Sequence, residues 1–199
     1  NFNAARAVVE FTGVNVHPGS SKNTMVNAAL VAIEFNSMLP SADTPRDTEE
    51  YEGFFHLDAM NGNVSTAMLD YIIRDHDVAS FDCRLKTMEH IAKILNEKWG
   101  EGTVKLTITE QYRNMKEIID TCMELIDCAT AACKECGTPA LITPIRGGTD
   151  GARLSFMGVP CPNLGTGGHA FHGPYEHITV EGMDIAVEVG LKIIELFYK

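Results

Sequence analysis

The chain has 199 residues, 45% of them hydrophobic and 22% charged, and a net charge of −11. This composition is typical of a globular protein and excludes a disordered tail or a fibrous repeat. The acidic balance argues against nucleic-acid binding, because phosphate recognition needs clustered Lys and Arg. No apolar run approaches the roughly 20 residues that cross a membrane. Six cysteines without the spread of a secreted disulfide framework predict a cytoplasmic location.

The first half of the sequence alternates predicted strands and helices. A Pro-, Gly- and Ser-containing loop follows the first strand, Asn61-Gly62-Asn63 predicts a turn, and Ser80 is a candidate N-cap. Strands are predicted at 7–11, from 54, at 68–74 and at 104–109, and helices at 25–38 and 81–98. The order β-α-β-β-α-β predicts a ferredoxin-like domain over residues 1–112, an antiparallel sheet with two helices on one face.

The second half, residues 113–199, has a different pattern. Helices are predicted at 115–136, 150–157 and 181–198, with a short buried strand at 140–144 and another short strand at 161–164. This series indicates α/β layering, but two short strands do not make a doubly covered sheet, so partner strands are expected elsewhere. The chain also begins at Asn1 and enters strand-like sequence at once. We therefore expect it to be part of a longer protein.

Two glycine-containing clusters are candidates for substrate chemistry. His17 lies beside Pro18-Gly19 in the loop after the first strand, where a histidine is either functional or ordinary surface. Arg146-Gly147-Gly148-Thr149 lies between a predicted strand and a predicted helix. There, backbone N–H groups and a guanidinium could bind an anion or carboxylate, although a capped tight turn explains the pattern equally well.

A third cluster, residues 165–177, contains His169, His172, His177 and Glu176 amid glycines. Imidazole and carboxylate are ligands that zinc favours, but this spacing is not a complete catalytic signature, and a solvated histidine-rich turn is the alternative. Cys133-x-x-Cys136 falls at the predicted end of a helix rather than at a helix start. We therefore interpret these two cysteines as structural or incidental thiols.

Five segments together carry a family resemblance. They are VNVHPGSSKNTMVNA, YIIRDHD, QYRNMKE, PIRGGTDGARLSFMGVPCPNL and GTGGHAFHGPYEHI. In this order they closely resemble the tripeptide aminopeptidases of the co-catalytic zinc peptidase family, which includes carboxypeptidase G and the aminoacylases. The resemblance implies an α/β protein with an α+β lid: a ferredoxin-like lid that also forms the dimer, followed by the C-terminal segment of the α/β zinc-peptidase catalytic domain.

The resemblance also implies roles for individual residues. His172 matches a zinc ligand, in a site that holds two zinc ions in the family. His17 matches a lid histidine that reaches the active site of the partner subunit and stabilises the oxyanion of the tetrahedral intermediate. The expected substrate contacts are Arg74, Asn114, Arg146, Gly147, Gly148 and Thr149.

The implied activity is zinc-dependent release of the N-terminal residue of a tripeptide by an intact homodimer. The family's other metal ligands and its general base have no counterpart in this sequence, so we expect these 199 residues to be inactive alone. Two alternatives remain open at this point. One is a non-catalytic dimerisation module, and the other is a related zinc amidohydrolase such as a carboxypeptidase or deacylase.

Overall fold

A computed structural model describes residues 1–198 of the chain. The chain divides into two compact units. The first contains Asn1–Asn114 together with Ile145–Gly148, and the second contains Met115–Pro144 and the chain from Thr149 onwards. The domain boundary predicted at residue 112 stays a prediction. The second predicted domain, residues 113–199, ends at Lys199, which lies outside the described residues.

The first unit is built on a four-stranded antiparallel sheet with the spatial order β2-β3-β1-β4. Its elements are β1 (Asn3–Thr12), α1 (Ala28–Met38), β2 (Phe54–Gly62), β3 (Thr66–Asp75), α2 (Val78–Trp99) and β4 (Val104–Tyr112). This element order and this strand order are those of the predicted ferredoxin-like fold.

The core of this unit lies between the sheet and its two helices. Alternate residues of β1 are buried, because successive side chains of a strand point to opposite faces. From Ala5 to Phe11 they pack against Phe35 of α1 and against Phe81 and Leu95 of α2. Both predicted helices therefore cover one face of the sheet.

Local hydrogen bonds shift two predicted helix starts. Asn27 caps α1, its Oδ1 accepting from the N–H groups of Ala29 and Leu30, so the helix begins after the predicted residue 25. The N-cap of α2 is Asp77, which accepts from the N–H of Ser80, so the prediction of Ser80 as the cap was wrong.

The turn predicted at Asn61-Gly62-Asn63 lies later in the sequence, and only Asn63 of the three residues belongs to it. Asn61 and Gly62 remain paired in β2, and the turn begins at Asn63, whose Oδ1 accepts from the N–H groups of Ser65 and Thr66. A side-chain turn of this kind needs only one residue of the Asn-Gly-Asn sequence. The Asn-Gly pair therefore extends the strand instead of ending it.

The second unit contains α3 (Lys116–Ile119), α4 (Glu124–Glu135), α5 (Asp150–Phe156), β5 (Gly168–His169), β6 (His177–Ile178) and α6 (Val180–Tyr198). Helices α4 and α6 pack together, and Met115, Ile119 and Ala152 form a small core. The single helix predicted over 115–136 is two helices. Thr121 Oγ1 donates to the carbonyl of Ile118 at the break and competes with the helical pattern.

The two short strands predicted in this unit do not form. Residues 140–144 and 161–164 lie outside regular structure, and Leu141 is 79% exposed. A strand is stable only when a neighbour pairs with its N–H and C=O groups, and the described part of the chain pairs none with these two segments. The only sheet described in this unit is the two-residue pair of β5 and β6, which the sequence analysis did not predict.

Candidate functional site

The candidate site of the first unit begins with a row of four residues across one end of the sheet. The strand register places Phe54, Arg74, Ala4 and Tyr112 side by side, one from each strand. Directly paired residues share a face of a sheet, so these side chains lie on the same side. Ala4 is small, and the Arg74 guanidinium reaches across it to lie 5.4 Å from the centre of the Tyr112 ring.

Arg74 is held by neutral acceptors. Its Nη1 donates to the carbonyl oxygens of Ala5 and Ile73, and its Nη2 donates to Gln111 Oε1 over 3.0 Å. Gln111 lies at a register shift between β1 and β4, and such bulges re-aim side chains near functional sites. Burial lowers the pKa of Arg74, but a guanidinium remains charged at any physiological pH. None of the acceptors in the described hydrogen bonds of Arg74 is charged, so these bonds do not neutralise its positive charge.

The segment Ile145–Gly148 meets both ends of the row. The Arg146 guanidinium lies 5.2 Å from the ring centre of Phe2 and 5.6 Å from that of Phe54. At the other end, a Cβ atom on Gly148 would come within 2.4 Å of the Tyr112 ring. Only glycine allows this approach, and Gly147 lies between the two contacts. The sequence cluster at 146–148 is thus brought together with Arg74.

Arg146 makes four hydrogen bonds, all with the segment 48–52. Its Nη1 donates to the carbonyl oxygens of Glu50 and Glu52, and its Nη2 donates to the carbonyl oxygen and the hydroxyl oxygen of Thr48. The distances range from 2.8 to 3.3 Å. These acceptors are uncharged, so the positive charge of Arg146 is also not neutralised by them.

His76 and Asn114 lie at the same end of the sheet. The Nδ2 of Asn114 donates to the carbonyl of His76 over 3.1 Å, and its backbone N–H donates to Asn3 Oδ1. The His76 ring stacks on Phe2 at 4.2 Å and contacts Tyr51 at 5.3 Å. Its Nε2 is buried without a hydrogen-bond partner, and desolvation lowers the pKa of the ring. His76 is therefore held in its neutral form.

A buried ion pair anchors this end of the sheet from the helix side. The Arg84 Nε of α2 donates to Asp75 Oδ2 over 2.8 Å, and its Nη1 donates to Asp43 Oδ2 over 2.6 Å. The Asp75 side chain is only 5% exposed, and its other oxygen accepts from the N–H of Asp77. A carboxylate this deeply buried depends on its cation, so Arg84 fixes β3 immediately after Arg74.

His17 lies on a separate, exposed loop of the first unit. A bridge between Val14 and Val26 closes the loop, and Gly13 lies at its base, where a Cβ would come within 2.2 Å of the Val64 carbonyl oxygen. The Nδ1 of His17 accepts from the N–H of Gly19 over 3.1 Å. In the neutral ring this leaves the proton on Nε2, which is therefore a donor.

His172 lies in the loop between β5 and β6 of the second unit and is exposed. Both Ala170 and His172 have positive φ, at 55° and 62°, and the N–H of His172 donates to Glu176 Oε2 over 2.9 Å. Left-handed backbone at non-glycine residues is strained and concentrates at functional sites. The rings of His169 and His177 stack 5.3 Å apart beside this loop.

Thr149, in the same unit, is the N-cap residue of α5 but makes no capping side-chain bond. Its hydroxyl instead accepts from Asn163 Nδ2 over 3.2 Å. Gly151 packs against the Cys161 carbonyl, which a Cβ would approach within 2.4 Å. The Thr-Asp-Gly part of the motif therefore fastens α5 to the segment around Cys161.

Residues 1–198 contain no group of three His, Cys, Asp or Glu side chains that could hold a metal ion. The donors described here therefore do not form a complete zinc site, and His172 would supply one ligand only. In the same range, no helix combines the length and apolar character needed to cross a membrane.

The structure thus brings Arg74, Arg146, Gly147, Gly148 and Asn114 to one end of the sheet of the first unit. His17 stands on its own loop, and Thr149 and His172 belong to the second unit. Their roles in binding and catalysis stay predictions. The sequence analysis missed Tyr112 and the segment 48–52. Tyr112 escaped notice because the fourth strand was predicted to end at residue 109, three residues before its pairing with Ala4.

Comparison with known proteins agrees with this fold. Peptidase T of Clostridium perfringens is 54% identical over 197 residues, which cover 99% of this chain and 48% of that protein. The chain thus spans about half the length of the curated relatives it matches. Aminopeptidase PepT from Bacillus cereus has a TM-score of 0.81 at 17% identity, with 100% of this chain and 52% of that chain covered.

A tripeptidase from Staphylococcus aureus gives a TM-score of 0.80 at 18% identity, with 98% of this chain and 52% of that chain covered. These two solved structures share the fold of this chain, which confirms the predicted ferredoxin-like lid. The sequence identity with peptidase T confirms the predicted resemblance to the tripeptide aminopeptidases. The sequence-family model described as the peptidase dimerisation domain matches residues 1–103 of this chain. The chain therefore belongs to the peptidase dimerisation domain family.

Proposed function

We propose that this chain is the dimerising lid and an adjoining catalytic segment of a zinc-dependent tripeptide aminopeptidase. The observation that carries the proposal is the 54% identity with peptidase T over nearly the whole chain. The two structural neighbours described above, an aminopeptidase and a tripeptidase, agree with this substrate class.

The row on the sheet suits the C-terminal carboxylate of a tripeptide. The charge of Arg74 is met only by neutral oxygen atoms in its described hydrogen bonds, so an anion binds there with a net electrostatic gain. Nothing lies within 4 Å of a Cβ at Gly147, which leaves space for peptide atoms, and the Asn114 amide lies at the same end of the sheet. This arrangement supports recognition of a free carboxylate.

The His17 side chain can stabilise an oxyanion by donating a hydrogen bond to it. Its Nδ1 is occupied as an acceptor, so Nε2 carries the proton and can donate to a developing negative charge. The loop is exposed, as a donor that serves a partner subunit must be.

The working metal in this proposal is zinc, with His172 as one ligand. Zinc acts in hydrolases as a Lewis acid and lowers the pKa of bound water. We expect the other ligands and the general base from the part of the relatives that this chain does not span. The 199-residue chain alone is accordingly expected to show no turnover.

The outer face of α1 is the proposed dimer contact. Leu30 and Ile33 lie one helical turn apart and are 61% and 53% exposed. β2 is an edge strand of the same unit. An exposed apolar helix face in a domain of a dimerisation family is best covered by a second copy of that domain.

A chimera tests the proposed activity. These 199 residues replace the matching half of Clostridium perfringens peptidase T, and hydrolysis of a tripeptide is measured with added zinc. We expect turnover by the chimera and none by the 199-residue chain alone. A folded, zinc-loaded chimera that leaves tripeptides intact would overturn the proposal and favour a non-catalytic dimerisation module.

Three variants of the chimera, one of them a control, test the assigned roles. His172→Ala is expected to lower the zinc content measured by mass spectrometry, whereas His169→Ala at the neighbouring position is not. His17→Phe is expected to lower kcat by roughly 100- to 1,000-fold, the usual cost of losing one oxyanion donor, without changing the zinc content. Equal zinc content in both His→Ala variants would contradict the ligand assignment.

A further inference from the structure

The segment 48–52 has an unusual backbone course. Glu50 has a φ of 45°, in the left-handed region that a side chain with a Cβ rarely adopts. Such a conformation costs about 1 kcal/mol and persists only where surrounding contacts hold it. The side chains of the segment are largely exposed, so packing of the segment alone does not explain its order.

Arg146 supplies four hydrogen bonds that hold the segment, in addition to the bonds that the segment makes with its own neighbours. Three carbonyl oxygens, of Thr48, Glu50 and Glu52, converge on the two terminal nitrogens of one guanidinium. The Thr48 hydroxyl adds a fourth bond of 2.9 Å. Hydrogen bonds from a charged donor are roughly twice as strong as neutral ones. The four bonds from Arg146 therefore hold the segment more strongly than bonds between neutral groups would.

The same four hydrogen bonds occupy the N–H donors on both terminal nitrogens of Arg146. A guanidinium has five N–H donors, four of them on its terminal nitrogens. The four described bonds engage both terminal nitrogens twice, which leaves only the Nε–H for another partner. A forked grip on a carboxylate needs two donors. Arg146 therefore cannot grip a substrate carboxylate in this way while it holds the segment.

The position of the guanidinium is fixed from the other side as well. It lies against the rings of Phe2 and Phe54, and Phe2 in turn stacks on His76. Tyr51, within the tethered segment, contacts the same His76 ring at 5.3 Å. The segment, the arginine and the aromatic cluster thus form one connected assembly next to the Arg74 row.

We propose that Arg146 is a positioning residue: it clamps the segment 48–52 through its carbonyl oxygens beside the Arg74 row and does not itself grip a substrate carboxylate. This role revises the direct substrate contact expected from the sequence. It rests on contacts within the first unit and does not depend on the tripeptidase activity.

Hydrogen exchange of the 199-residue chain tests the clamp. Two amides of the segment report on it: Glu52 N–H, which donates to the Glu49 carbonyl, and Glu49 N–H, which donates to Glu52 Oε2. In Arg146→Ala and Arg146→Lys we expect exchange of both amides to rise about tenfold or more, since several charge-assisted bonds are lost. Lysine keeps the charge but lacks the planar fork, so it does not restore protection.

Arg6→Ala is the matched control, because Arg6 is an exposed arginine whose described partner is Asp70 on the sheet. It should leave exchange within 48–52 unchanged. Slow exchange of the β1 amides in every variant shows that the unit remains folded. Wild-type protection of the two reporter amides in both Arg146 variants would overturn the proposal, and so would full restoration by lysine. Loss of tripeptidase activity in the chimera would not affect this test.

Discussion

The α1 surface gives the most direct test of dimerisation. The perturbation is the double substitution Leu30→Asp and Ile33→Asp, on a face where both side chains are more than half exposed in the single chain. Neither residue belongs to the buried core of α1, so the fold should be kept.

The expected magnitude follows from burial. Covering a whole Leu or Ile side chain contributes about 1.5–3 kcal/mol, so covering the exposed half contributes roughly 0.8–1.5 kcal/mol. A two-fold interface uses each residue twice, and the four contributions amount to about 3–6 kcal/mol. Since 1.4 kcal/mol is a factor of ten, the dimer Kd should rise by roughly 100- to 10,000-fold.

Sedimentation equilibrium of the chain measures this Kd, and circular dichroism verifies the fold. Val78→Asp, at an apolar position on α2 that is 48% exposed, is the control within the first unit. Ile194→Asp on α6 controls for association through the apolar side chains exposed on the second unit. If the α1 variant dimerises like wild type while Ile194→Asp does not, the reasoning about α1 is refuted.

Three further predictions concern the sheet end that carries Arg74. Arg84→Met should destabilise the first unit by about 3–5 kcal/mol in urea unfolding, because it leaves the buried Asp75 carboxylate uncompensated; a change below about 1 kcal/mol would contradict this. The pKa of His76 is lowered on folding from its ordinary 6.5, so its contribution to stability is lost as pH falls below that value. His76→Phe should therefore flatten the unfolding free energy between about pH 7 and 5, and an unchanged slope would argue against a buried neutral ring. Gly148→Ala should displace the Tyr112 ring, seen as a change in its aromatic NMR signals, whereas Gly147→Ala should not, as nothing lies within 4 Å of a Cβ there.

The sheet was predictable from the sequence because each of its strands carries its own signal. β-branched and aromatic runs such as Ala7–Phe11 alternate in burial, and the buried residues of both helices recur at helical spacing. The errors are local and have local causes. Asp77 rather than Ser80 caps α2, and the side chain of Asn63 rather than an Asn-Gly pair makes the turn, since either choice fits the same sequence pattern.

The second unit was less predictable because its strands depend on partners distant in sequence. The runs at 140–144 and 161–164 have strand composition, but composition does not supply the neighbour that a strand must pair with. The candidate site was predictable only as separate motifs. That Arg146 would reach the carbonyl oxygens of 48–52, almost one hundred residues earlier, depends on tertiary structure that no local pattern encodes.

Arg74 and Asp75 are neighbours in β3 with opposite charges, and successive side chains of a strand leave opposite faces of the sheet. The guanidinium therefore joins the candidate site, while the carboxylate is held by Arg84 on the side covered by helices. A shift of one residue in the pairing of β3 with β1 would exchange the two and reverse the charge of the site. Insertion or deletion of one residue within β3 should consequently remove the positive charge from the candidate site, whereas replacement of a single side chain leaves the register unchanged.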